Sequence, residues 1–418
     1  MNRSSWALFL LLTIVLLAGA VACGGGPSPT VTTRQTDDDN DTSPVDDDDD
    51  NDTSPVDDDD DNDTSPVDDD DDNDDNDDND DDDNDDNDDN DDDASPEWTA
   101  MTNANTDEVG LSGVWGSSAT DVFAVGQDAT SGQAAILQYN GSSWAAMTNA
   151  NTGAVQLFGV WGSSATDVFA VGVDSTSGLA AIWQYDGSSW AAMTNATNAD
   201  PVQLSGVWGS SATDVFAVGE DTASLKALIW QYNGSSWAAM TNANTDFAEL
   251  SGVWGSSATD VFAVGEDNTS FQALIWQYNG SSWAAMTNAN TDAVQLSGVW
   301  GSSATDVFAV GGDSTSGQAA IWQYNGSSWA AMTNANTDAV DLLGVWGTSA
   351  TEVFAVGADS TSVEAAIWQY NGSSWAAMTN ANTHRAVLYG VWGTSAADVF
   401  AVGQDVTSVQ AAIWRHGL

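Results

Sequence analysis

Sixteen residues, Leu111-Ser-Gly-Val-Trp-Gly-Ser-Ser-Ala-Thr-Asp-Val-Phe-Ala-Val-Gly126, return with little change from Leu157, Leu204, Leu250, Leu296, Leu342 and Leu388. Seven copies in one chain dictate a repeat architecture, in which each unit buries its apolar face against the next. A Trp opens the last segment of every unit, at Trp98, Trp144, Trp190, Trp237, Trp283, Trp329 and Trp375. The step is 46 residues, and 47 once, where Asp200-Pro201 brings an extra residue.

Each unit divides into four short apolar runs. In the first they are Leu111–Trp115, Asp121–Gly126, Ala134–Tyr139 and Ser143–Thr148. The runs are rich in Val, Ile, Phe and Trp and are bounded by Gly, Asn, Asp and Ser, which signals strands. Apolar residues do not recur at three and four, and Gly interrupts every run, so helix is a poor alternative. Tyr139-Asn-Gly-Ser-Ser-Trp144 predicts a tight hairpin between the third and fourth runs. Asn-Gly favours a type I′ turn, in which both residues take positive φ. It recurs at Asn233, Asn279, Asn325 and Asn371, with Asp186-Gly187 as the variant.

Four strands over a period in the forties make a propeller blade. The repeats enter on Glu97-Trp98-Thr99-Ala100, a fourth strand without its first three. They end on Ala411–Leu418, a third strand without a fourth. The fragments complete each other. The expectation is an all-β, seven-bladed β-propeller over 97–418, closed by pairing of the N-terminal strand with the C-terminal blade. Closure also protects the strand edges that an open stack would expose. Twenty of the 21 Trp residues lie in this region, and they read as blade-to-blade core.

The remainder is leader and spacer. Residues 1–22 carry Arg3 and then an apolar run from Ala7 to Val21, too short to cross a bilayer comfortably. Ala20-Val21-Ala22-Cys23 follows. It resembles the lipobox of bacterial lipoproteins, with Ala20 where Leu is usual. The resemblance implies lipidation at Cys23 and a membrane anchor through that lipid. Gly24 replaces the Asp of the inner-membrane retention signal, which points to an outer-membrane lipoprotein exposed at the cell surface. Cys23 is the single cysteine, so no disulfide forms within the chain. Residues 23–96 hold 36 Asp between positions 37 and 93, with no basic residue among them. Repulsion and the lack of apolar residues predict a disordered, extended linker. Its polyanion excludes nucleic acid as a partner. No cofactor is expected: Asp and Asn oxygens suit Ca²⁺, but ordered Ca²⁺ loops need a Gly and none lies between Gly26 and Gly110, so the reading is diffuse counter-ions, with weak Ca²⁺ binding as the alternative.

Catalysis finds few candidate groups in 97–418. Its histidines are His384 and His416, both read as surface residues, and its arginines are Arg385 and Arg415. Neither a His-based metal centre nor a Ser-His-Asp triad follows. The carboxylate that opens each second strand (Asp121 and its equivalents, with Glu352 in the sixth unit) occurs in all seven units. Such regularity indicates architecture, as a cap on backbone N–H groups. A second set follows that strand: Asp128, Asp174, Asp221, Asp267, Asp313, Asp359 and Asp405. These read as Asx turns, and alternatively as a rim of metal ligands.

Comparison of the units locates their diversity. Gly-Ser-Ser-Ala-Thr-Asp and Asn-Gly-Ser-Ser hardly vary, and in an up-and-down blade they share one face. The other two connections share the opposite face, and they differ from unit to unit. They supply the candidate ligand-binding residues Glu108, Gln156, Asp200, Lys226, Phe247, Phe271, His384 and Arg385. Loops on a rigid scaffold are where binding residues usually sit.

The string Gly-Val-Trp-Gly-Ser-Ser…Asp-Val-Phe-Ala-Val-Gly…Ile-Trp-Gln-Tyr-Asn-Gly-Ser-Ser-Trp resembles the tandem propeller repeats of secreted and lipid-anchored bacterial proteins, notably of myxobacteria-like lineages. The resemblance covers 97–418 and implies the fold rather than an activity. The reading that follows is a monomeric, non-enzymatic binding or adhesion module for a glycan, peptide or envelope protein. Alternatives are an enzyme acting on polysaccharide and a passive surface-display protein.

Overall fold

The computed structural model describes residues 97–101, 108–147, 153–193, 201–240, 247–286, 293–332, 339–378 and 385–417. The leader with Cys23, the acidic spacer, Asp200 and His384 lie outside the described residues. Among those described, the strands form seven four-stranded antiparallel sheets, each a blade. Blade one runs Val109–Ser118, Asp121–Asp128, Ala134–Tyr139 and Trp144–Ala146, from the innermost strand outward. Blade seven takes Ala386–Ser395, Asp398–Asp405 and Ala411–His416 from the last repeat and Trp98–Ala100 from the start of the repeat region. The register is Trp98↔His416, Thr99↔Arg415 and Ala100↔Trp414. Consecutive inner strands pack side by side around the ring, the last against the first. The propeller is therefore closed.

The inner strand spans ten residues where the sequence suggested five. Two bulges, between Leu111 and Gly113 and between Gly116 and Ser118, let it bend and continue. The outer strand shrinks to three residues. It has a partner on one side alone, so little holds its ends.

The core lies between blades. Phe123 on the second strand is fully buried. It meets Tyr185 at 5.6 Å and Trp190 edge-on at 6.2 Å, both from blade two. The Trp190 indole N–H points at the Met147 sulfur, 3.2 Å away at the end of blade one. The inner-strand Trp115 packs against Gly162 of the next blade, where an added Cβ would lie 2.6 Å from the ring. The same contacts recur from blade to blade. At the seam, Trp98 and His416 take the seats of the outer Trp and the third-strand Tyr beside Phe354. This corrects the surface reading of His416, which is buried at 3% exposure with Nδ1 2.9 Å from the Ala396 carbonyl. It stands at the third-strand position held by Tyr in the other six units.

The hairpin is present but its turn type differs from the expectation. Gly141 has φ +91°, while Asn140 is absent from the residues with positive φ. Asn140 instead accepts through Oδ1 from Ser142 N, Ser142 Oγ and Ser143 N, at 3.0, 2.8 and 3.0 Å. A four-residue Asx loop thus replaces the two-residue type I′ turn. In blade two, Asp186 does the same work. Bonds from the Ser188 hydroxyl and from the Ser189 and Ser188 amides hold its carboxyl down at about 2.

Candidate functional site

Two kinds of connection divide the ring into two faces. The turn from inner to second strand packs on the third-to-outer hairpin: a Cβ on Gly141 would lie 2.9 Å from Thr120. Asp121 works within this face, as architecture. Its partners are side chains rather than the backbone amides expected, with Ser117 Oγ at 2.6 Å and Gln138 Nε2 at 2.7 Å. Ser118 Oγ accepts from the Thr120 amide in its place, at 3.4 Å.

The opposite face joins the turn between second and third strands to the start of each inner strand. Asp128 Oδ1 accepts from the Thr130 and Ser131 amides at 2.8 and 2.9 Å, an Asx turn. Asp174, Asp221, Asp267, Asp313, Asp359 and Asp405 bond their turns in the same way. Among the described residues no three His, Cys, Asp or Glu side chains stand close enough to hold a metal. The turn is also tied to its own inner strand, through Ala129 N to the Glu108 carbonyl in blade one and Val406 N to the Arg385 carbonyl in blade seven.

Of the sequence candidates, Glu108, Phe247, Phe271 and Arg385 are exposed on this face. Thr130 Oγ1 donates to Glu108 Oε2 at 3.3 Å. Lys226 opens the third strand of blade three, half-buried beside Asp221, whose carboxyl is lowered against its burial by bonds from Ser224 and Ala223 and, least, by the Lys226 charge. Gln156 lies inside an inner strand at 7% exposure, turned away from solvent.

The turn ends on a residue in the left-handed region. Blades one, two and five use Gly132, Gly178 and Gly317, at φ +70° to +72°. Blades three, four, six and seven use Leu225, Phe271, Val363 and Val409, at φ +54° to +60°. Phe247, at the start of the blade-four inner strand, has φ +58°. A bulky or β-branched residue in this region is an outlier.

Sequence reasoning missed a group of carboxylates beneath these loops. Glu220 on the second strand of blade three, with Glu249 and Glu266, a register pair in blade four, point into the junctions between blades. Burial first, then repulsion from Glu249 and Asp267, pushes the Glu266 carboxyl up to about 7. Burial and then Glu249 and Asp221 push Glu220 to about 7 as well. Burial raises Glu249, opposed by a 3.1 Å bond from Gln295. Glu266 Oε1 is buried with no hydrogen-bond partner. The signal was present, since these positions differ between units. Glu249 lies one residue before the apolar run that marks the inner strand in the sequence, and the strand in fact begins at Ala248.

No protein-family model and no curated protein matches this chain. Solved structures of the same fold do. The structure described as YCF48 bound to D1 peptide is 12% identical, with a TM-score of 0.55, over 77% of this chain and 97% of that one. YCF48 from Cyanidioschyzon merolae is 14% identical, with a TM-score of 0.53, over 77% of this chain and 98% of that one. The WD40 β-propeller domain of Doa1 is 10% identical, with a TM-score of 0.54, over 76% of this chain and 96% of that one. At these identities the likeness is one of fold, and it agrees with a Trp-rich repeat propeller.

Proposed function

We propose that this chain is a bacterial surface lipoprotein whose propeller is a binding module for a peptide, protein or glycan. In this reading Cys23 carries the lipid, and the aspartate spacer holds a monomeric ring away from the outer membrane, with cations condensed diffusely along it. The observation that carries the binding role is the division of the faces. The turns of one face are nearly invariant from unit to unit, while the loops of the other change side chain in nearly every blade. Packing holds the invariant turns, with Gly141 on Thr120 and Asp121 on Ser117 and Gln138, and leaves the varied loops free to carry binding residues, as loops on a rigid scaffold usually do. Binding is favoured over catalysis because both repeated carboxylate sets are engaged in their own turns. A propeller of this fold that takes a peptide, as the YCF48 structure does, makes peptide an apt ligand class.

Two experiments test it. Replacing Cys23 with Ser should move the protein from the membrane fraction to the soluble one and remove radiolabelled palmitate. Exchanging the varied loops for those of blade one should abolish capture on glycan and peptide arrays, with the melting transition kept. Binding that survives that exchange would refute the assignment of the face.

A further inference from the structure

We propose that Leu225, Phe247 and Phe271 form a docking arc over blades three and four for an extended peptide segment carrying an aliphatic or aromatic side chain beside a lysine or arginine. The proposal rests on the binding reading of this face and names its partner class.

Three observations converge. The first is apolar exposure. Among the described residues the exposed large apolar side chains are Leu225, Phe247, Phe271 and Val409, at 41%, 51%, 40% and 36%. Three of these four sit on adjoining connections. The Leu225 carbonyl accepts from Ala248 N at 3.0 Å, the Phe247 carbonyl from Asn268 N at 2.7 Å, and the turn then closes with Phe271 N on the Asp267 carbonyl at 2.7 Å. Single exposed apolar residues need no explanation, but three on hydrogen-bonded neighbouring loops are more than scatter and are the kind of surface that interaction sites use.

The second is backbone strain. All three hold left-handed φ, and blades one, two and five place Gly where Leu225 and Phe271 stand. The ring therefore folds around this turn without those side chains. Strain kept together with exposure gains nothing for packing and points to use.

The third is charge. One strand position just before the second-to-third turn and one just after the start of the inner strand face each other between neighbouring blades, as Gln404 does Gly110 and Asp341 does Gly312. Over seven blades those fourteen places hold four carboxylates: Glu220, Glu249, Glu266 and Asp341. Three of the four lie beneath the arc. Glu266 Oε1 is buried and unpartnered. A cationic side chain arriving with an apolar neighbour would meet acid and apolar surface together. A second copy of this chain is the wrong partner, because residues 97–418 hold 27 acidic side chains against three basic ones.

The test uses the full chain and fluorescein-labelled short synthetic peptides with Phe or Leu next to Lys or Arg, read by anisotropy. The control peptides carry Ser for the apolar residue or Glu for the base. The variant Leu225→Gly/Phe271→Gly adopts what three other blades already use, so its fold is kept. We expect binding of the basic-apolar peptides, weakened about tenfold or more in this variant and in Phe247→Ser. Glu220→Gln/Glu249→Gln should weaken the basic peptides and leave a neutral apolar peptide unchanged. Equal binding to wild type and glycine variant overturns the arc. If exchanging loops of other blades then removes that binding, the general face reading survives. A glycan array that lights while every peptide fails overturns the peptide class. Silence on both probes overturns the arc and the binding function together. A dimer by sedimentation that the glycine variant dissolves would show a second copy as occupant and overturn the proposal.

Discussion

Trp98 tests ring closure most directly. Its side chain is 6% exposed, 6.3 Å from Phe354 and 5.3 Å from His416, with its indole N–H 3.1 Å from the Met378 sulfur. Trp283 in blade four is also 6% exposed, 6.2 Å from Phe216 and 3.3 Å from Met240 sulfur. Truncating a buried Trp costs ~3–5 kcal/mol, of which each aromatic pair supplies ~0.5–1.5. On local packing alone the two Ala variants should therefore lose the same amount. They differ in how the strand is held. The outer strand of blade four follows its neighbour through the Asn279–Ser282 loop. The Trp98 strand has no such hairpin and is held by three register pairs and a 2.9 Å bond from Met101 N to the Ile413 carbonyl. Trp98→Ala should lose ~3–5 kcal/mol in urea unfolding and also release this strand. Amide exchange at 411–416 should then rise far above that of the matching strand in Trp283→Ala. A loss under ~1 kcal/mol for Trp98→Ala, against a full loss for Trp283→Ala, would refute closure by this strand.

Two further predictions concern strain and buried charge. Val363→Gly, outside the proposed arc, should stabilise the ring by ~0.5–1 kcal/mol, since the left-handed backbone costs an L-residue ~1–2 and glycine returns part of that as unfolded-state entropy; a lower urea midpoint would contradict it. Glu266 has its folded carboxyl pushed from 4.5 to about 7, so its contribution is fully present below pH 4.5 and is lost as pH rises through about 7. Glu266→Gln should flatten the fall in stability between those values and raise stability at pH 8 by at most ~3 kcal/mol; parallel stability–pH curves for the two proteins would exclude this.

The fold was legible because period, strand residues and the two orphan ends all pointed to one architecture. The misreadings came from side chains whose partners were invisible. Asn140 suggested a type I′ turn, yet its carbonyl oxygen binds three groups ahead and leaves positive φ to Gly141. Asp121 was expected to cap backbone, but a glutamine seventeen residues later reaches it. His416 was judged as a lone histidine. Alignment with Tyr139 and Tyr185 would have placed it in the aromatic seat between blades. Most of the candidate face was legible from variation between units. Its carboxylates were not, because they sit at strand ends, where burial decides their chemistry.

The Trp98 strand also has to find blade seven among seven blades that resemble one another. The aromatic contacts are nearly the same at every junction, so they cannot say which free strand edge should meet which. Blade seven departs from the repeat where that choice is made. Arg415 replaces the glutamine of the other blades and bonds Asp398 Oδ1 at 2.7 Å. It also reaches blade one, donating to the Tyr139 hydroxyl at 3.3 Å, with its guanidinium 5.0 Å from the centre of the Phe400 ring and 5.7 Å from that of Tyr139. Gln404 fills the space above Gly110 of blade one, where an added Cβ would lie 3.3 Å from its amide nitrogen. A charged, half-buried contact is a known means of fixing one pairing among near-equals. Arg415→Gln restores the common repeat residue and keeps a bond to Asp398 open. It should still cost ~1–2 kcal/mol, because a charge-assisted bond and the stacking are lost. The same change should raise the fraction of strand-swapped dimers after refolding at high concentration. If Arg415→Gln matches the wild type in both stability and refolding yield, the seam takes its specificity from connectivity alone.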